Sequence, residues 1–91
     1  MAIKDIESAV EGILFAAGEP IAADRLCAVL DLDRETVEAV IRNLADYYAY
    51  EKRGIRIVRL EDSYQMCSAP EQAERIRLAL ETRKPPQLSQ P

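Results

Sequence analysis

The sequence predicts a single winged helix-turn-helix domain, mainly α with a small β-hairpin wing. Three observations carry this reading. Segments between residues 3 and 50 repeat their apolar side chains at three- and four-residue steps, the period of a helix. At Gly54 that period gives way to the alternation of strands. The chain has 91 residues, 48% of them hydrophobic, which suits one modest core and no more than one domain.

Residues 3–17 form the first predicted helix. Ile3, Ile6, Val10, Ile13, Leu14 and Ala17 fall on one face, while Lys4, Glu7 and Glu11 point away. Gly18 suits the left-handed position after a helix end, and Pro20 blocks continuation. Ile21 is placed to form a short strand against a later hairpin. A second helix is expected from about Ala23 to Leu30, burying Leu26, Val29 and Leu30. Ala22 and Ala23 offer its start no capping side chain, although Asp24 in the first turn suits the helix dipole. Asp31-Leu32-Asp33 then breaks it. Asp33 caps a third helix in which Val37, Val40, Ile41, Leu44 and Tyr48 repeat at helical steps to about Tyr50. Two helices joined by a turn of about three residues form a helix-turn-helix pair.

After Gly54, Ile55-Arg56-Ile57-Val58-Arg59-Leu60 is β-rich, Glu61-Asp62-Ser63 reads as a turn, and Tyr64-Gln65-Met66-Cys67-Ser68 resumes the strand. A hairpin directly after the third helix is a wing. Pro70 suits the first position of a last helix, with Ser68 or Ala69 before it. Ala73, Ile76 and Leu80 would supply its buried side, and Glu71 and Arg75 have ion-pair spacing. The domain is thus expected over residues 1–82. Residues 83–91, proline-rich and polar, read as a linker toward a second domain.

Composition excludes several functions. There is no His, so the usual general base near neutral pH is missing, and neither Cys27 nor Cys67 has an evident activating partner. Without His or a CxxC pair, no metal site or cofactor is expected. Gly12, Gly18 and Gly54 lie too far apart for a phosphate-cradling loop. No enzymatic activity is expected. The first residues run straight into a charged amphipathic pattern, unlike a secretory leader, and no stretch approaches the roughly 18 apolar residues of a membrane span. The expected location is the cytoplasm, where two small thiols stay reduced.

Charge argues against sequence-specific DNA reading. The net charge of −4 divides into −7 over residues 1–51 and +3 over residues 52–91. From Asp33 to Tyr50 the third helix carries Arg34 and Arg42 against Asp33, Glu35, Glu38 and Asp46, and only Arg34, Arg42 and Asn43 could read base edges. An acidic helix pressed toward phosphates costs energy. A DNA-binding winged-helix transcription regulator is therefore the alternative reading, not the leading one. Lys52, Arg53, Arg56 and Arg59 form the candidate weak DNA contact, set against a solvated or salt-bridged strand face. Tyr47 and Tyr50 share one side of the third helix, away from Tyr48 and Leu44. With Val58 and Leu60 on the wing they are the candidate protein interface, since aromatic anchors favour interface cores.

One run carries a more specific signal. Glu11-Gly12-Ile13-Leu14-Phe15-Ala16-Ala17-Gly18-Glu19-Pro20-Ile21 resembles the opening of the bacterial segregation and condensation protein B family. Arg53-Gly54-Ile55-Arg56-Ile57-Val58, Tyr64-Gln65-Met66 and Ala69-Pro70-Glu71 follow in that family's order. Lys84-Pro85-Pro86-Gln87-Leu88-Ser89-Gln90 is similar to its inter-domain linker. Ala22 and Ala23 depart from a pattern that often has Ser or Thr there. The resemblance implies a non-catalytic subunit of the SMC–kleisin chromosome condensation and segregation complex, associated with the nucleoid. It implies a homodimer formed largely through this first domain, with the kleisin ScpA and the SMC ATPase as partners and the kleisin held mainly by a second domain.

Overall fold

The computed structural model describes residues 2–81 as one helical domain with a three-stranded antiparallel sheet. The expected linker, residues 83–91, lies outside the described residues. Helix α1 spans Ile3–Ala17 and stops at Gly18, whose φ of 66° is the left-handed value that glycine adopts without a steric penalty. Strand β1, Ile21–Ala22, leads into α2, Ala23–Leu30. Asp31 then takes φ 57° and its N–H donates to the Cys27 carbonyl, which ends α2 and turns the chain into α3, Arg34–Tyr50. The Asp33 side chain accepts from the Thr36 N–H at 3.1 Å, as its capping role requires.

Strands β2, Ile55–Leu60, and β3, Ser63–Ser68, form the wing, and the sheet order is β1-β3-β2. Ser63 belongs to β3 rather than to the turn, because it pairs with both Leu60 and Ala22. Glu61, at φ 58°, makes the tight reversal that remains. The short strand expected at Ile21 is present, opposite Tyr64.

The core gathers Ile6, Val10 and Leu14 from α1, Ala23, Leu26 and Leu30 from α2, and Val37, Val40, Ile41, Leu44 and Tyr48 from α3. Tyr64 closes it from the wing, and Ile13, Ile55, Ile57 and Met66 pack half-buried at its edge. Several sequence expectations fail. Val29 is exposed because α2 is only eight residues long and shows the core the face carrying Ala23, Leu26 and Leu30, and Ile3, the first residue of α1, is exposed as well. The last helix begins later than Pro70: Pro70–Gln72 is a 3-10 turn, and α4 spans Ala73–Glu81. That helix buries nothing fully; Ala73 and Leu80 are exposed and Ile76 half-buried. Glu71 does not pair with Arg75. Its carboxylate meets Arg56 at 2.8 Å, while Arg75 donates to Gln72.

Candidate functional site

The candidate residues separate into three surfaces. The first is the helix-turn-helix face. Arg34, at the start of α3, donates to Glu38 at 2.9 Å, to Asp62 at 3.1 Å and to Asp24 at 3.2 Å. One guanidinium thereby ties α2, α3 and the wing turn together. Its pKa is raised above the ordinary arginine value, chiefly by the Glu38 hydrogen bond. Three carboxylates around the one arginine that opens α3 neutralise that guanidinium, so Arg34 has no free charge for phosphates, while Arg25 on α2 and Arg42 further along α3 are exposed. Asn43, a further base-reading candidate, lines a groove against α1. Arg42 stands with Arg59 at a smaller groove between α3 and the wing, floored by Ile41, Ile57 and Tyr64.

The wing cations are not brought together. Lys52, with φ 53°, and Arg53 are exposed after the end of α3, where their N–H groups donate to the Ala49 and Tyr48 carbonyls. Arg56 and Arg59 stand three residues apart in β2, so they project from opposite faces of the sheet. Arg56 is spoken for: it donates to the Arg53 and Ile55 carbonyls and pairs with Glu71, and its side chain is only 20% exposed. Arg59 donates to the Glu61 carbonyl and lies over the Tyr64 ring, 5.9 Å from its centre. The salt-bridged reading describes Arg56 well, while Arg59 has only a distant carboxylate, Asp62 at 4.0 Å, and Lys52 and Arg53 have no ion pair among the described residues.

The third surface is apolar and aromatic. Tyr48 is buried, and its hydroxyl donates to Glu11 on α1 at 2.6 Å. Burial first, and the Glu11 carboxylate second, push its pKa well above the ordinary tyrosine value. Tyr47 and Tyr50, one residue before and two after, are exposed, Tyr50 to 83%. The helical step of about 100° per residue separates them in this way. Tyr47 lines a groove of about 440 Å³ with Lys4, Glu7, Ser8, Glu11 and Asn43. Val58 and Leu60 are exposed on the outer face of β2, while Ile55 and Ile57 pack inward. The proposed interface residues therefore occupy two separate faces, the end of α3 and the outside of the wing.

Phe15 escaped the sequence reading. It lies off the apolar stripe of α1 and is 77% exposed, beside a recess of about 350 Å³ lined by Ser8, Glu11, Gly12, Ile55 and Met66. The available signal was an aromatic residue on the polar side of a well-defined amphipathic helix. Cys27 and Cys67 are free, half-buried thiols. No described helix is long and apolar enough to cross a membrane.

Comparison with known proteins adds to this geometry. The family model described as "Segregation and condensation complex subunit ScpB" matches residues 8–91. Segregation and condensation protein B of Ruminiclostridium cellulolyticum is 36% identical over 90 residues, covering 99% of this chain and 47% of that protein. The protein of the same description from Lachnoclostridium phytofermentans is 40% identical over 76 residues, covering 84% of this chain and 40% of that one. The chain thus spans about half the length of the curated relatives it matches. Among solved structures, a dimer of the ScpB N-terminal domain complexed with ScpA peptide superposes with a TM-score of 0.80 at 30% identity. The match covers 87% of this chain and 99% of that one. ScpB from Mycobacterium tuberculosis superposes with a TM-score of 0.84 at 20% identity, a likeness of fold. On the family match over most of its length and on a shared domain architecture, this chain belongs to the ScpB family of segregation and condensation complex subunits.

Proposed function

We propose that this chain is a dimerising, non-catalytic protein-interaction module of an SMC–kleisin chromosome condensation complex, with the ScpA kleisin as its peptide partner. The observation that carries the proposal is the solved ScpB N-terminal domain, a dimer complexed with ScpA peptide, of which this chain matches 99%. In that relative the N-terminal domain itself is crystallised with the peptide, so in this reading the first half of the protein has a kleisin contact of its own. The physical support is the neutralised arginine at the start of α3 together with the acidic balance of that helix. A winged helix whose α3 opens with Arg34 held by three carboxylates suits protein contact better than base reading.

Tyr47 and Tyr50 on α3 and Val58 and Leu60 on the wing are the proposed protein contacts, exposed apolar groups of the kind that interfaces bury. Lys52, Arg53, Arg56 and Arg59 are assigned no more than weak, sequence-independent DNA contact. Residues 83–91 serve as the linker to a further domain. Sedimentation equilibrium of this chain at tens of micromolar, with and without a synthetic ScpA segment, tests the proposal. A dimer mass and a further increase with the peptide are expected. Tyr47→Glu or Leu60→Glu should weaken one of the two associations. A monomer that ignores the peptide would refute the reading.

A further inference from the structure

Helix α1 presents a projection and a hollow on one line. Its buried stripe is Ile6, Val10 and Leu14. Phe15, the only phenylalanine of the chain, stands off that stripe and leaves 77% of its surface in solvent. Beside it lies the recess lined by Ser8, Glu11, Gly12, Ile55 and Met66. A methyl group built on Gly12 would meet no heavy atom within 4 Å, so the space above the helix is open there. Ser8, Gly12 and Phe15 are related by helical steps of four and three, which aligns them along one side of α1. Ser8 and Phe15 are two turns apart, about 10.5 Å along the axis.

This spacing is self-complementary. A two-fold axis crossing α1 between Glu11 and Gly12 sets a second copy's α1 antiparallel to the first. Each Phe15 then stands over the Ser8–Gly12 hollow of the other copy, an isologous contact in which residue i meets j and j meets i. Small residues at the crossing let two helices approach to the usual 8–10 Å or so between axes. The same axis brings the start of one copy's α1, which carries Lys4, toward the end of the other's, where Glu19 follows Gly18 just past the helix. Both are exposed, and neither has an ion pair among the described residues, so the register matches opposite charges twice. Glu11 lies nearest the axis, and its hydrogen bond from Tyr48 draws the carboxylate toward α3. Tyr47, across the neighbouring groove from Ser8 and Glu11, extends the apolar area. A stable dimer buries on the order of 800 Å² per partner. A phenylalanine supplies roughly 150–250 Å² of that, with Tyr47, Ile55 and Met66 adding to it.

We infer that the α1 surface around Phe15 is the contact between two copies of this chain, an antiparallel α1–α1 pair with Phe15 as the anchor and Lys4–Glu19 setting the register. The inference rests on the dimer reading above. Sedimentation equilibrium on the parent chain, Phe15→Ala, Lys4→Glu and Lys4→Glu/Glu19→Lys tests it, with far-ultraviolet circular dichroism confirming that each variant is folded. Phe15 is exposed in the single chain, so its replacement leaves the fold and melting temperature in place. Phe15→Ala should weaken dimerisation by about thirtyfold or more, as a buried aromatic anchor counted once from each copy does. Lys4→Glu should weaken it by about threefold to tenfold, and adding Glu19→Lys should restore it. A parent dimer that tolerates Phe15→Ala and Lys4→Glu unchanged overturns this surface and leaves the dimer reading standing. Loss with Lys4→Glu that the second exchange fails to restore overturns the antiparallel register. A monomeric parent removes the dimer reading and this surface with it.

Discussion

Tyr48 links the interior to the surface in one side chain: its ring closes the core against α1 and its hydroxyl ends on the Glu11 carboxylate. Burial and that carboxylate keep the phenol neutral above its ordinary range. In the unfolded chain it ionises near about pH 10. The contribution is therefore complete below about pH 10 and is lost as pH rises above it, where only the unfolded state releases the proton. Tyr48→Phe should cost about 1 kcal/mol at neutral pH through the lost hydrogen bond, and its stability should fall less steeply above about pH 10. Urea unfolding of both proteins across pH 8–11 measures this, and parallel curves would contradict it. The sequence separated Tyr48 from Tyr47 and Tyr50 by angle alone, since three close tyrosines on a helix cannot all face inward. Its partner Glu11 was out of reach, being 37 residues away and met only through folding.

At the scale of elements, helix ends written in local side chains were legible and those completed from a distance were not. Gly18 and Asp33 stop α1 and start α3 by their own chemistry. The start of α2 has no such residue. There the Ala23 N–H donates to the Asp62 carbonyl of the wing turn at 2.8 Å, and Arg34 holds Asp62 in place. The wing thus does for α2 what a capping side chain does elsewhere, and the alanines at 22 and 23 are accounted for. The opposite case is α4. Nine residues are too few for an isolated helix to be more than marginal in water, and none of these is buried. A chain ending at Gln72 should retain the fold and lose less than about 1 kcal/mol, the range of exposed positions. Leu14→Ala, by contrast, should cost about 2–5 kcal/mol. Thermal unfolding of the two variants compares them directly, and a larger loss from the truncation would mean that α4 docks against the domain.

At the scale of the whole molecule, charge placement bears on which polymer the domain can meet. The net −4 and the neutralised Arg34 at the start of α3 motivate the prediction that association with duplex DNA is weak, salt-sensitive and without sequence preference. Fluorescence anisotropy at two salt concentrations should show Lys52→Glu and Arg53→Glu reducing what binding there is. Arg56→Ala should matter less, because that side chain already serves Glu71 and two carbonyls. Tight, sequence-selective binding abolished by Arg42→Ala would reverse the assignment of surfaces. By itself the sequence determined the helices, the wing and most of the core, because the 3.6- and two-residue periods and the stop signals act within a few neighbours. Only tertiary structure decided that Val29 and Leu80 face solvent, that Arg56 takes Glu71 from Arg75, that the wing caps α2, and that Phe15 stands free beside a hollow. Each of those depends on which surfaces meet across long sequence separations, and a pattern along one chain holds no information about distance between its elements.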